Sequence, residues 1–186
     1  YSYRMKGITD ISRDLNLSLN EYLFEPALPV YTIEREERYP KTPQMQRELY
    51  GLKRRLDKQS DTYLDTEWNF SETYHQPGMG TIKVTVYVFK SRIEGKSSKD
   101  SRTIIRREFF KNNMSILYGL NGQIQGFDTS VFISQNLKLQ LLKDHLLIHV
   151  DCSNMASDFR DELFMASRDR LKDGDESKEL KALLIK

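Results

Sequence analysis

The chain has 186 residues, 38% hydrophobic and 30% charged, which is enough apolar material for one sizeable core. Lysine and arginine number 29 against 27 acidic residues, so the formal charge of +2 gives little of the long-range pull of a dedicated nucleic-acid binder. Aromatic residues along the whole length argue against intrinsic disorder, and the single cysteine, Cys152, excludes an intrachain disulfide and fits a reducing, cytoplasmic setting.

The opening YSYRM alternates like the end of a strand. It begins with Tyr rather than Met and has neither the basic flank nor the apolar centre of a signal peptide, so a piece of a longer polypeptide with a partner domain upstream is expected. No run approaches the roughly 18 apolar residues that span a bilayer. From residue 9 the period becomes helical, with Ile11, Leu15, Leu19 and Leu23 to one side, and predicts an amphipathic helix over residues 9–24. Pro26 and Pro29 stop it, and PVYTIE reads as a short strand.

Residues 45–58 carry Leu49, Leu52 and Leu56 at helical spacing and predict a surface helix, inserted over about residues 41–58. Alternation of Leu64, Thr66, Trp68 and Phe70 then predicts a strand. After the turn QPGMG it should pair as a hairpin with TIKVTVYVF, whose Ile82, Val84, Val86 and Val88 face one side and Lys83, Thr85, Tyr87 and Phe89 the other. Residues 91–102 read as a polar, mobile loop. NNMSILYGLNGQIQGF is a second β unit turning at Asn121-Gly122, and HLLIHVDC is a buried strand. Two helical clusters follow, Phe159, Leu163 and Phe164, then Leu180, Leu183 and Leu184, separated by the acidic turn DGDES. The expected fold is α+β (mixed α/β), a single sheet covered by helices on one face.

Tests for chemistry mostly return structural readings. Gly78 and Gly80 link two strands rather than opening a helix, so a hairpin turn is favoured over a phosphate cradle. His145 and His149 lie four apart in a strand-like run, which keeps them too far apart to share a metal, and none is expected. Cys152 lacks a neighbouring thiol or glycine elbow and reads as a buried structural residue. The adjacent carboxylates Asp161 and Glu162 diverge on a helix. Two basic stretches, Lys53, Arg54, Arg55 and Lys58, then Arg106 and Arg107, are the best candidate phosphate contacts, with solvated faces as the ordinary alternative.

The stretch HLLIHVDCSNMASDFRDELFMASRDRLKDGD says more: a strand ending in Val150-Asp151, a polar loop, then Ser167-Arg168-Asp169 just before Leu171. It resembles the middle domain of the ninety-kilodalton heat-shock chaperone and, more broadly, the transducer domains of the GHKL ATPases, which include gyrase, MutL and the MORC proteins. GTIKVTVYVFK and KNNMSILYGLNGQI extend the likeness over about residues 60–172. The resemblance implies a transducer-like α/β domain over residues 1–172, with residues 173–186 a C-terminal helix leading onward. It implies that Arg168 reaches in trans to the terminal phosphate of ATP, held with magnesium by an upstream ATPase domain of the same chain. Lys172 stands where the family places a glutamine and is expected to help Arg168 touch the phosphate, as a point charge instead of an amide donor, and the loop over residues 154–166 is longer than the chaperone's. Bacterial relatives of the MORC group occur in antiphage loci, which points towards bacterial defence.

No D-x-G-x-G segment or Glu-Asn helix is present, so the chain alone is expected neither to bind nor to hydrolyse ATP. Two other readings remain at this point. One is a nucleic-acid-binding module built on the two basic stretches, with aromatics as stacking platforms. The other is a dimerisation or scaffold domain, in which the chain forms a homodimer.

Overall fold

The computed structural model describes residues 22–33, 46–110, 113–167 and 170–186. Its main sheet has five strands, β3 (Phe70–Gln76), β4 (Gly80–Val88), β5 (Met114–Leu120), β6 (Gln123–Thr129) and β7 (Leu146–Asp151), in the order β3-β4-β7-β5-β6. The β7–β5 pairing is parallel and the others are antiparallel. Outside it, β1 (Val30–Ile33) and β2 (Gln46–Leu49) pair as a separate two-stranded sheet. The helices are α1 (Leu52–Lys58), α2 (Ser60–Tyr63), α3 (Ser98–Phe109), α4 (Ser130–Gln135), α5 (Ser157–Leu163) and α6 (Asp175–Ile185). The fold is α+β.

Sequence pattern explains the layering. In β4, Ile82, Val84 and Val86 pack into one core with Phe132 and Ile133 of α4, Leu163 of α5 and Leu180 of α6. Tyr87 and the following Phe89 pack into a second core with Leu52 and Leu56 of α1 and Ile105 and Phe109 of α3. The period of two therefore feeds opposite faces, and helices cover both of them, which corrects the expectation of cover on one face. Two cores need a strand that is apolar on both sides. β7, reading LLIHVD with only its final residue short of full burial, takes the central place.

Local departures have physical causes. Residues 46–49 are drawn into pairing with β1, so the expected helix over residues 41–58 begins only at Leu52. There the carbonyls of Leu23 and Phe24 accept the backbone N–H groups of Leu52 and Lys53, at 3.0 Å each, satisfying donors that a helix start leaves open. Leu52 and Leu56 are buried, so α1 is not a surface helix. Of the expected strand through Leu64, Thr66 and Trp68, only an isolated bridge from Leu64 to Phe89 forms, after α2, and a 3-10 turn takes Thr66–Trp68. The Asn69 side chain accepts the Val88 N–H at 2.7 Å, taking the place of a strand neighbour, and β3 starts only at Phe70.

Residues 91–102 are not simply a loop, because α3 occupies the chain from Ser98. Its apolar stripe, Ser101, Ile105 and Phe109, is buried at helical spacing. The expected helix over residues 9–24 lies outside the described residues up to residue 21. Residues 22–24 are not helical there, with Leu23 bridged to Gln123 and Phe24 buried. The hairpins at Pro77–Gly78 and Asn121-Gly122, the buried β7 and the two terminal helices all match expectation.

Candidate functional site

The strand-loop-helix run that carries the resemblance is fastened at successive points after β7. The Asp151 carboxylate accepts the Ser153 backbone N–H at 3.0 Å, and Ser153 Oγ accepts the Asn121 N–H at 2.9 Å. The next residues are held by the first hairpin turn, with Thr81 N–H donating to Asn154 O and Ala156 N–H to Met79 O. After α5, Phe164 and Leu171 form an antiparallel bridge, and Lys172 N–H donates to Leu163 O at 2.9 Å. Gly126 of β6 lets this returning chain lie flat on the sheet, since a Cβ there would sit 3.1 Å from the Arg170 carbonyl carbon. The chain is thus fastened at Phe164 and again at Leu171. Arg168 and Asp169, between these points in sequence, lie outside the described residues.

Lys172 serves this frame. Its Nζ donates to Asp161 O at 2.6 Å and sits 3.7 Å from a Glu162 carboxylate oxygen, placing a cation at the C-terminal turn of α5, where the helix dipole favours one.

The two basic stretches, far apart in sequence, meet in space, each with acidic partners. Arg55 reaches both the carbonyl (2.9 Å) and the carboxylate (3.4 Å) of Glu108, and Arg107 lies 3.0 Å from the same carboxylate. Burial pulls the Arg55 pKa down while Glu108 pushes it back up. Lys53 pairs with Glu25 at 2.7 Å and Arg54 with Glu48 at 2.8 Å. Lys58 Nζ stands 4.4 Å over the Tyr50 ring, and Arg106 bonds the Asn113 side chain and lies 3.6 Å from Asp144. Such pairing lowers the field that a phosphate backbone would meet.

The histidines do not converge. His149 stacks on Phe24 with ring centroids 3.4 Å apart, while His145 lines a groove on the opposite face of the sheet. Among the described residues no group of three metal-ligating side chains exists. Cys152 is fully buried, and burial pushes its thiol pKa well up, which keeps it protonated and unreactive.

One feature was not anticipated from sequence. Beside the helices, side chains of the β3–β4 hairpin floor a groove of about 750 Å³, with Leu183 and Leu184 of α6 and Leu139 and Leu142 as walls. Its surroundings include unusually exposed apolar side chains, Trp68 at 67%, Phe70 at 52% and Leu141 at 91%. A signal existed in NLKLQLL, four leucines in six residues, of which Leu137, Leu139 and Leu141 alternate as in a strand although residues 137–142 form none. Among the described residues no helix is long and apolar enough to cross a membrane. No protein-family model, curated protein or solved structure matches this chain.

Proposed function

We propose that this chain is the non-catalytic transducer module of a GHKL-type ATPase, coupling the terminal phosphate of ATP to closure of two domains, in bacterial defence. The observation that carries this reading is the bridge between Phe164 and Leu171, which fastens the chain on either side of Arg168 in sequence, with Arg170 and Leu171 laid against Gly126. A charged side chain between two fixed points of the chain loses little further freedom on meeting a ligand, which is what positioning against a transferring phosphoryl group requires. Arg168 stabilises the charge that develops there, while Lys172, already bonded to α5, keeps the returning chain in place. ATP and its magnesium belong to the ATPase domain that the resemblance implies, and the described residues offer no carboxylate cluster for the metal.

The test is ATP turnover by the full-length protein with Arg168→Ala. An arginine finger is worth roughly 10³-fold or more in kcat, so a loss of that order is expected, with the KM for ATP less affected. Unchanged turnover in the variant, or no turnover in the unsubstituted full-length protein, rejects the reading.

A further inference from the structure

The groove beside β3 and β4 holds one charge that the fold leaves unused. Asp65 stands immediately before the 3-10 turn Thr66–Trp68, where an aspartate ordinarily accepts a backbone N–H of the turn, yet its side chain makes no capping hydrogen bond. Its backbone is engaged instead: the N–H donates to Val88 O at 2.8 Å, and the carbonyl accepts the Trp68 N–H at 3.1 Å. The carboxylate is half-buried and lines the groove, and among the described residues it has neither a cation nor a hydrogen-bond donor as partner. Keeping a carboxylate partly out of water without a partner is unfavourable, so a ligand that supplies one gains by it.

The surroundings suit positive charge. Trp68, Phe70 and Tyr74 line the same groove, and the face of an aromatic ring attracts a cation, tryptophan most strongly. Glu72 lies between Phe70 and Tyr74 on the same side of β3, where the Tyr74 hydroxyl donates to it. Among the described residues the only lysine or arginine lining the groove is Lys186, beyond the end of α6. The remaining floor and walls are mostly aliphatic. At about 750 Å³ the groove falls within the roughly 300–1,000 Å³ of small-molecule sites, which pair an apolar lining with a few placed polar groups.

We infer that this groove binds a small cationic amphiphile, an ammonium group on an apolar body, with the Asp65 carboxylate as its counter-ion, the Trp68 ring against the cation and the leucine walls against the body. The inference is independent of the role given to Arg168. Charge selects this occupant: the carboxylate of a fatty acid would meet the like charges of Asp65 and Glu72, and a neutral apolar molecule would leave Asp65 as it is. An extended peptide would bring backbone N–H and C=O groups that aliphatic walls cannot pair.

The probes are decylamine, decanol and decanoate, which share one apolar body and differ in the head. They are titrated into the chain below their aggregation limits and followed by calorimetry and by the fluorescence of Trp68, the single tryptophan. Decylamine should bind saturably, shift the Trp68 emission to the blue and exceed the affinity of both other probes roughly tenfold. Its advantage should shrink as salt is added. Asp65→Asn removes the charge without breaking a hydrogen bond of the fold, and should bring decylamine down to the affinity of decanol while decanol itself is unchanged. No saturable binding of decylamine overturns the inference, as do equal affinities for the three probes, a preference for decanoate, or an amine preference that survives Asp65→Asn or added salt. A lysine-bearing amphipathic helical peptide that binds where decylamine does not would overturn it too, and assign the groove to a protein partner.

Discussion

His149 shows how a single residue ties β7 to the segment that carries Phe24. Its ring lies within β7, stacks at 5° to Phe24, and has Nε2 buried without a hydrogen-bond partner. Burial lowers its pKa to about 4, with Asp151 pulling up and Lys53 and Lys83 pushing down. The unfolded chain, with the ordinary value of 6.5, binds a proton that the folded chain refuses between those limits. Stability is therefore undiminished above pH 6.5 and is lost as pH falls towards 4, by about 3 kcal/mol from this residue alone. Urea unfolding of the wild type and of His149→Leu above and below this window should show the variant losing less stability on acidification. Equal losses would mean that the imidazole is not the group refusing the proton. The segment that carries Phe24 is itself fixed by the Asn121-Gly122 turn, where φ is 51° and 77° and Gly122 O accepts the N–H groups of both Phe24 and Glu25. A side chain at Gly122 would collide with Glu25 O at 2.0 Å.

At the scale of elements, α3 depends on a few polar atoms near its start. Ser97 Oγ accepts the Asp100 N–H at 3.1 Å, while buried Ser101 Oγ accepts the Ile93 N–H at 2.9 Å and donates to Ser97 O at 2.7 Å. Ser97→Ala should cost about 1 kcal/mol as a lost cap. Ser101→Ala should cost more, about 1–3 kcal/mol, because it leaves the buried Ile93 N–H unpaired. Chemical denaturation checks both, and the reverse order would mean that water reaches Ile93. These atoms also show why α3 was hidden in the sequence: its signal is a serine cap and one buried serine, not an apolar run. Elements whose pattern is dense were legible, as with the alternation of Ile82, Val84 and Val86 or the positive-φ pair Asn121-Gly122. The alternation of Leu64, Thr66 and Trp68 misled because one side chain, Asn69, occupies the edge where a strand would pair. The groove was illegible for a different reason. Its floor comes from β3 and β4, its walls from residues 137–142 and α6, and only the sheet order brings these together.

Across the whole molecule the decisive feature is that β7 belongs to both cores. Leu146, Ile148 and Val150 pack with the core under α4, α5 and α6, and Leu147 packs with the core under α1 and α3. Neither helical layer can detach without exposing one face of the same strand, so the sheet and both layers should melt as one unit. Leu147 is fully buried, and Leu147→Ala should destabilise by about 2–5 kcal/mol through lost transfer energy and the cavity left behind. Leu141→Ala, at a side chain 91% exposed, should change stability by no more than about 0.5 kcal/mol. Far-UV circular dichroism reports the whole chain, and the fluorescence of Trp68 reports the 3-10 turn bordering the groove on the other face from Leu147. Both signals should move to lower urea together in Leu147→Ala. If the Trp68 transition stayed in place while the dichroism shifted, the two faces would be separate cooperative units and β7 a boundary between them.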